Sequence, residues 1–448
     1  MVEVGGEQKS PPSSALIRKL VGGAAIGGSI KLVGVGLAFL FFLVLARVTT
    51  PEAYGIFAAA FSLATIVGFA ATLGQHTAIL RFWPSLDEKH GPQIASRAIA
   101  YGLGLTFMGG LTVLVIFAIL ALNPPHLEAF GQGGWIYFWT GMMAMAFALS
   151  EFSVASLRAR GSLVGAMGPR EIGWRLAVIG AVMLISLPLS GEGALAVAAL
   201  ALLAMTIPQL VYVASEIWRH RRATLPQSDH TAMRHAMWGL WGGGVVGPIT
   251  QHSSIVVVSI VLGPSAAGAY FAADRLAKLL SIALMGVNQI AAPMLARSYH
   301  AARIREVRFI ATASGMLALT VASLGFAAYL MFGRLALEMF DPSYGDSFTA
   351  LVILAVGQLV NSACGPNNLL LSLAGRERLL LAIMLIWATI GVILVHAAAT
   401  RLGITGAALA GSGVLIGWNI SSLLACSWML GSNSYLTKLV NLVKRSVH

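Results

Sequence analysis

Long apolar runs alternate with short polar ones along nearly the whole chain. Twelve runs of about 20 or more mostly apolar residues read as membrane spans, at 21–46, 54–75, 97–122, 134–156, 165–188 and 192–216, then at 236–262, 268–292, 308–330, 347–371, 376–399 and 404–430. Helices of that length cover the roughly 30 Å hydrocarbon core of a bilayer. The longest polar stretch in mid-chain, IWRHRRATLPQSDHTAMRH at 217–235, separates six spans from six. The expected organisation is therefore a tail (1–20), a first lobe (21–216), a linker (217–235), a second lobe (236–430) and a second tail (431–448). The first residues, MVEVGGEQKSPPSS, are polar and expected to be disordered. The apolar run behind them is too long for a signal-peptide core and reads as an uncleaved first span.

Composition agrees with this pattern. Hydrophobic residues make up 57% of the 448 and charged residues 10%, against roughly a quarter charged in soluble domains. Mean hydropathy is +0.81. A net charge of +12 raises the question of nucleic acid, but the cations sit in clusters between apolar runs, as loop charges of a membrane protein do. Counted loop by loop, 23 basic residues fall on one side and three (Arg47, Arg334 and Arg401) on the other. Arg158, Arg160, Arg170 and Arg175 are in the larger group. By the positive-inside rule that side is cytoplasmic, and both termini lie on it. The two cysteines, Cys364 and Cys426, are far apart in apolar runs and give neither a disulfide framework nor a metal spacing.

The two halves repeat. Shifted by 213 residues, ARVTTPEAYGIFAAAFSLA (46–64) lies over SIVLGPSAAGAYFAADRLA (259–277) without a gap. Pro51 meets Pro264, Gly55 meets Gly268, and Ala59, Ala60, Leu63 and Ala64 meet Ala272, Ala273, Leu276 and Ala277. Six spans per half give both halves the same orientation, related by an axis along the membrane normal, as in many secondary transporters.

The chain has no GxxxxGK[ST] loop for ATP, no HExxH and no GxSxG elbow. Uphill movement would have to draw on a gradient or a coupled pathway. The informative charges are those inside spans, where a cation costs roughly 2.5–3.5 kcal/mol to insert. In span 8, Asp274, Lys278, Ser281 and Asn288 share one helical face, flanked by Arg275 and Gln289. An internal Asp274–Lys278 pair is the plain alternative, but it leaves Arg275 over, which favours a cavity or an anionic ligand. Lys31 in span 1 shares a face with Gly27, Gly34 and Ala38. It lies roughly 15 Å inside the span, far for snorkelling. Span 7 carries Gly244, Gly247, Pro248, Gln251 and Ser254 on a broad face, with His252 beside it. Glu151 is expected to pair with Arg158 or a neighbouring helix. Gln358, Asn361, Asn367, Asn368 and Asn419 are expected to make interhelical hydrogen bonds.

LARVTTPEAYGIFAAAFSLA after the first span resembles the polysaccharide transporter family of Wzx-type lipid-linked oligosaccharide flippases. So do the stretch 331–383, with its Tyr344 loop, Gln358 and GRER turn, and LGITGAALAGS at 402–412. The resemblance covers nearly the whole chain and places it in the multidrug/oligosaccharidyl-lipid/polysaccharide exporter superfamily. It implies an all-α integral membrane protein with about 12 transmembrane helices in two six-helix lobes around a central cavity. Spans 1, 2, 7 and 8 would line that cavity, and transport would proceed by alternating access. The implied cargo is an undecaprenyl-pyrophosphate-linked oligosaccharide of a lipopolysaccharide or exopolysaccharide pathway, flipped from the inner to the outer leaflet of a bacterial inner membrane. Lys31, Asp274, Arg275 and Lys278 would form its cationic site, with Gln251, His252, Ser281, Asn288 and Gln289 lining the cavity. No cofactor or metal is implied; coupling to membrane potential, H+ or Na+ stays open. A polysaccharide polymerase and chain-length proteins are further expected partners beside the bilayer, and nucleic acid is not. Cation-coupled drug exporters of the superfamily also have twelve spans, whereas lipid II flippases usually have two more. A membrane-embedded sugar polymerase or ligase would need a larger loop than the roughly 16 residues found on the less basic side.

Overall fold

The computed structural model describes residues 14–125, 128–131, 133–185 and 188–430. Of the expected tails, 1–13 and 431–448, with Lys9, Lys438, Lys444 and Arg445, lie outside the described residues.

The first half runs α1 (Ser14–Val48), α2 (Pro51–Ala71), α3 (Gln75–His90), α4 (Pro92–Leu122), α5 (Trp135–Ala159), α6 (Leu163–Met167), a π-helical turn (Gly168–Gly173), α7 (Trp174–Leu184) and α8 (Gly191–Arg219). The second runs α9 (Gln227–Leu262), α10 (Pro264–Leu279), α11 (Ser281–His300), α12 (Ile304–Glu338), α13 (Phe348–Cys364), α14 (Asn367–Leu373) and α15 (Glu377–Leu430). Ten helical stretches among the described residues are long and apolar enough to cross a membrane. α15 supplies two crossings, because Gly403 (φ 61°) breaks its helical path. Trp387 of one arm donates to Ser421 of the other at 3.0 Å, and Gly391 faces Val414, so the arms are antiparallel. The stretch 163–184 is apolar but broken by the π turn. These give the twelve expected spans, in a nearly all-helical membrane fold.

Several boundaries differ from expectation for local reasons. α1 begins at Ser14, before residue 21. Residues 76–96, expected as a loop, are mostly α3, whose Ile79, Trp83 and Leu86 at i, i+4 and i+7 are buried on one face. Leu73 and Gly74, both at positive φ, turn the chain between α2 and α3. The expected linker shrinks to 220–226, because α9 starts at Gln227. Asp229 in its first turn lies 3.1 Å from His90 and 3.6 Å from Lys89 of α3. Span 10 breaks at Gly365–Pro366.

α2 sits at the centre of the bundle. It packs against α5 and α8 of its own half and against α9 and α10 of the other. Lipid tails give no hydrophobic drive for helices to associate, so close van der Waals packing by small residues must do it. The repeated alanines supply it: Ala59, Ala60 and Ala64 of α2 and Ala272, Ala273 and Ala277 of α10 are buried. α2 and α10 both open with proline at the first helical position, where a missing N–H costs nothing. They cross at Gly55 and Gly268. A Cβ on Gly55 would collide with the Pro264 carbonyl, and one on Gly268 would stand 3.0 Å from the Pro51 carbonyl oxygen and 2.5 Å from the Tyr344 hydroxyl. The contact is reciprocal and uses the residues that the 213-residue shift pairs.

The same end of the bundle is closed by further cross-lobe contacts. Tyr344 donates to the Pro51 carbonyl at 3.4 Å, Ser259 to the Ala129 carbonyl at 2.9 Å, and the Arg47 guanidinium to the Met339 carbonyl. Asp341 holds the Tyr344 turn by accepting from the Ser343 N–H and hydroxyl.

Alanine at Gly55 or Gly268 is expected to destabilise the protein by about 1–3 kcal/mol through overpacking. Gly36→Ala, where no atom lies within 4 Å, is expected not to. Thermal unfolding in detergent, read by fluorescence, distinguishes the two classes.

Candidate functional site: a charged cavity between the lobes

A cavity of about 450 Å³ lies between the halves, within the range of small-ligand sites. α1 contributes Gly34, Val35, Ala38, Phe39 and Phe42, the i, i+4 and i+8 stripe of one face. The remaining wall comes from Glu171 and Arg175 of the first half and from α9, α10, α11 and α13–α15 of the second.

The α10 wall carries a three-charge cluster. Lys278 Nζ donates to Asp274 Oδ2 at 2.8 Å and to the Gln251 carbonyl at 3.1 Å. Arg275 Nε stands 3.7 Å from the same Asp274 oxygen. One carboxylate thus serves two cations. The Arg275 guanidinium lies over Phe271 at 4.4 Å and Phe42 at 5.1 Å, a cation–π sandwich between α10 and α1. Arg275 Nη2 is buried and has no hydrogen-bond partner among the described residues. A buried cationic donor left open is costly, and an anion entering the cavity would satisfy it.

A second charged group comes from the π turn. The wide turn, with Pro169 inside it, points Arg170 and Glu171 to different neighbours. Arg170 pairs with Glu151 of α5 and lies over Phe147 at 5.1 Å. Glu171 and Arg175 pair at 3.2 Å and line the cavity. α1 passes so close that a Cβ on Gly34 would stand 3.1 Å from Glu171 Oε2.

Of the residues singled out in the sequence, the structure brings Asp274, Arg275, Lys278, Gln251 and Ser281 together in this wall. It does not bring Lys31 there: Lys31 is exposed, one turn before Gly34 on the same helix. His252 is buried, with Nδ1 3.4 Å from the Ser62 hydroxyl of α2, so it ties α9 to α2 and does not line the cavity. Asn288 and Gln289 line a smaller recess along α11, which shares Ser281 and Met285 with the main cavity.

Four further differences are physical. Span 2 was expected in the wall, but α2 is enclosed by helices from both lobes and contributes no residue to the cavity. Arg170 and Arg175, expected as loop cations, stand in the helical stretch of span 5 among partners. Removing the two from the 23 leaves 21 against three. Glu151 pairs with Arg170, not Arg158. Gln358, Asn361 and Asn419, expected to fasten helices together, line the cavity instead, as does Asn368. Among the described residues no group of three or more His, Cys, Asp or Glu side chains could hold a metal ion.

Comparison with known proteins follows the same architecture. The profile of a family described as polysaccharide biosynthesis protein matches residues 20–299. No curated protein matches the sequence significantly. Among solved structures, an inward-facing multidrug resistance MATE family transporter of the MOP superfamily superposes with TM-score 0.70 at 14% identity, over 91% of this chain and 98% of that one. The outward-facing conformation of a MATE family transporter of the same superfamily gives 0.62 at 15% identity, over 94% and 99%. A mutant of the Vibrio cholerae MATE transporter VcmN gives 0.60 at 18%, over 94% and 98%. At these identities the likeness concerns the fold.

Glu151→Leu alone strands Arg170 and is expected to cost about 3–5 kcal/mol of stability, most of it recovered when Arg170→Met is added. Thermal unfolding of the two variants beside wild type measures this.

Proposed function

The chain belongs to the polysaccharide biosynthesis protein family, and on that premise we propose that it is a transporter, not an enzyme, which flips a polyprenyl-pyrophosphate-linked oligosaccharide across a membrane. The carrying observation is the α10 cluster: two cations share one carboxylate, and Arg275, which lines the cavity, has a buried donor with no hydrogen-bond partner among the described residues. A pyrophosphate is the ligand such a group suits, since guanidinium offers paired charge-assisted hydrogen bonds and lysine a mobile point charge. The polyprenyl tail needs no protein site, because lipid is its solvent. Lys31, on the α1 face that carries Gly34 and Ala38 to the cavity, would meet the diphosphate on its way in.

In this reading the basic loops are cytoplasmic and the membrane is a bacterial inner membrane. The cargo is an undecaprenyl-linked repeat unit moving to the outer leaflet, for a polymerase and chain-length proteins to use. The lobes meet at the Gly55–Gly268 crossing, and alternate opening of that end and of the opposite one would expose the cavity to each side in turn. Membrane potential or a proton or sodium gradient drives it.

A second reading, a cation-coupled drug exporter, is favoured by Asp274 and Glu171, two carboxylates in the cavity wall. Two of the superposed structures are multidrug resistance transporters. The two readings part in proteoliposomes. Arg275→Gln and Lys278→Gln are each expected to lower flipping of a fluorescent undecaprenyl-pyrophosphate-linked sugar by about tenfold or more, given the roughly 1.5–3 kcal/mol of a charged hydrogen bond. Lys31→Gln is expected to slow it less. Wild-type flipping by a triple neutral variant would sink the assignment of the cationic site, and accumulation of drug with no flipping would favour the exporter.

A further inference from the structure

The cavity wall built by α13 and α15 differs chemically from the α10 wall. It carries no charged residue. Gln358 and Asn361 stand at i and i+3 on α13, and Asn419 and Trp418 on the second arm of α15 face the same space, with Trp387 on the first arm. Amide side chains inside a membrane bundle ordinarily earn their place by bonding helix to helix. These do not. Asn361 Nδ2 donates to Gln358 Oε1 on its own helix at 3.3 Å, and Asn419 Nδ2 donates to the Leu415 carbonyl of its own helix at 2.9 Å. Asn361 Oδ1, Asn419 Oδ1 and Gln358 Nε2 have no bond among the described residues. Trp418 Nε1 is buried and also unpartnered. The wall therefore offers donors and acceptors that no described protein group uses.

Its position matters as much. Gly411 of α15 lies against Tyr270 of α10, where a Cβ would stand 2.8 Å from the tyrosine hydroxyl. Tyr270 precedes Asp274 by one helical turn, about 6 Å of rise. The uncharged wall thus begins next to the charge cluster, within the same cavity.

Resting on the flippase reading above, we infer that the α13–α15 wall is a subsite for the sugar attached to the diphosphate: a neutral ring rich in hydroxyls. Hydroxyls both donate and accept, as side-chain amides do, and neutral amides discriminate by geometry without demanding charge from the ligand. The C–H face of a sugar ring suits an indole, and Trp387 and Trp418 supply two. Diphosphate on α10 and first sugar on α13–α15 would then be held together by one cavity, while later sugars extend beyond it. The reading gives the second lobe a role in selecting cargo that the charge cluster cannot have, since every lipid-linked cargo carries the same diphosphate.

The test uses the full chain in nanodiscs and two probes: bare undecaprenyl pyrophosphate, and a mixed pool of undecaprenyl-pyrophosphate-linked oligosaccharides. Wild type is expected to hold the glycosylated pool about tenfold more tightly than the bare lipid. Asn361→Ala, and separately Asn419→Ala, should cut that preference to about threefold or less while bare-lipid affinity stays within about twofold. Trp418→Phe, which keeps an aromatic face, should retain part of the preference, and it controls for any amide variant that unfolds. An unchanged preference in all three variants, or equal weakening of both probes, overturns the subsite and leaves the pyrophosphate reading standing. Binding of neither probe by wild type overturns both.

Discussion

Where α2 and α10 cross, Gly55 lies against the Pro264 carbonyl and Gly268 against the Pro51 carbonyl, with no room for a side-chain carbon between them. In a bilayer this closeness takes the place that hydrophobic burial holds in water, because lipid does not push apolar helices together. The crossing is self-complementary, as a contact across a two-fold axis is. It fixes the angle at which α10 leaves the closed end, and so where Asp274, Arg275 and Lys278 stand one to three turns along. Tyr344, Ser259 and Arg47 add cross-lobe bonds around it.

The scaffold repeats, but its chemistry does not. By the 213-residue shift, Asp274, Arg275 and Lys278 of α10 correspond to Phe61, Ser62 and Thr65 of α2. Those three are buried among helices of both halves. One member of the pair became the central packing element and the other the charged wall. The first lobe replaces the missing charges from elsewhere, with the Glu171–Arg175 pair of the π turn. That pair is balanced, whereas the α10 cluster has a cation to spare.

Much of the architecture was legible because a bilayer imposes a length on every span and a charge bias on every loop. The repeat was legible because Gly55 and Gly268 each lie against the backbone of the other lobe, where a side-chain carbon would collide. The α10 cluster was legible because an unpaired cation in a span has few explanations. Other features depend on tertiary context. An amide in a span has the same sequence signature whether it bonds a neighbour or faces a cavity, so sequence alone does not separate Asn361 and Asn419 from packing residues. Arg175 lay close enough to a span end to pass for a loop cation, although Glu171 at i−4 and the Gly34 approach mark it as an inward group. His252 sits beside Gln251 in sequence but faces α2, about 100° around the helix. Lys31 shares a face with Gly34, yet the cavity wall begins one turn later.

On the flippase reading, the closed crossing end opens during turnover. Spin labels at Leu122 of the first lobe and Leu402 of the second, both exposed at that end, report the separation by electron–electron double resonance in nanodiscs. A single short distance without cargo, joined by a longer population when undecaprenyl-pyrophosphate-linked oligosaccharide is added, is the predicted result. One unchanged distance under conditions in which the same preparation flips lipid would contradict it.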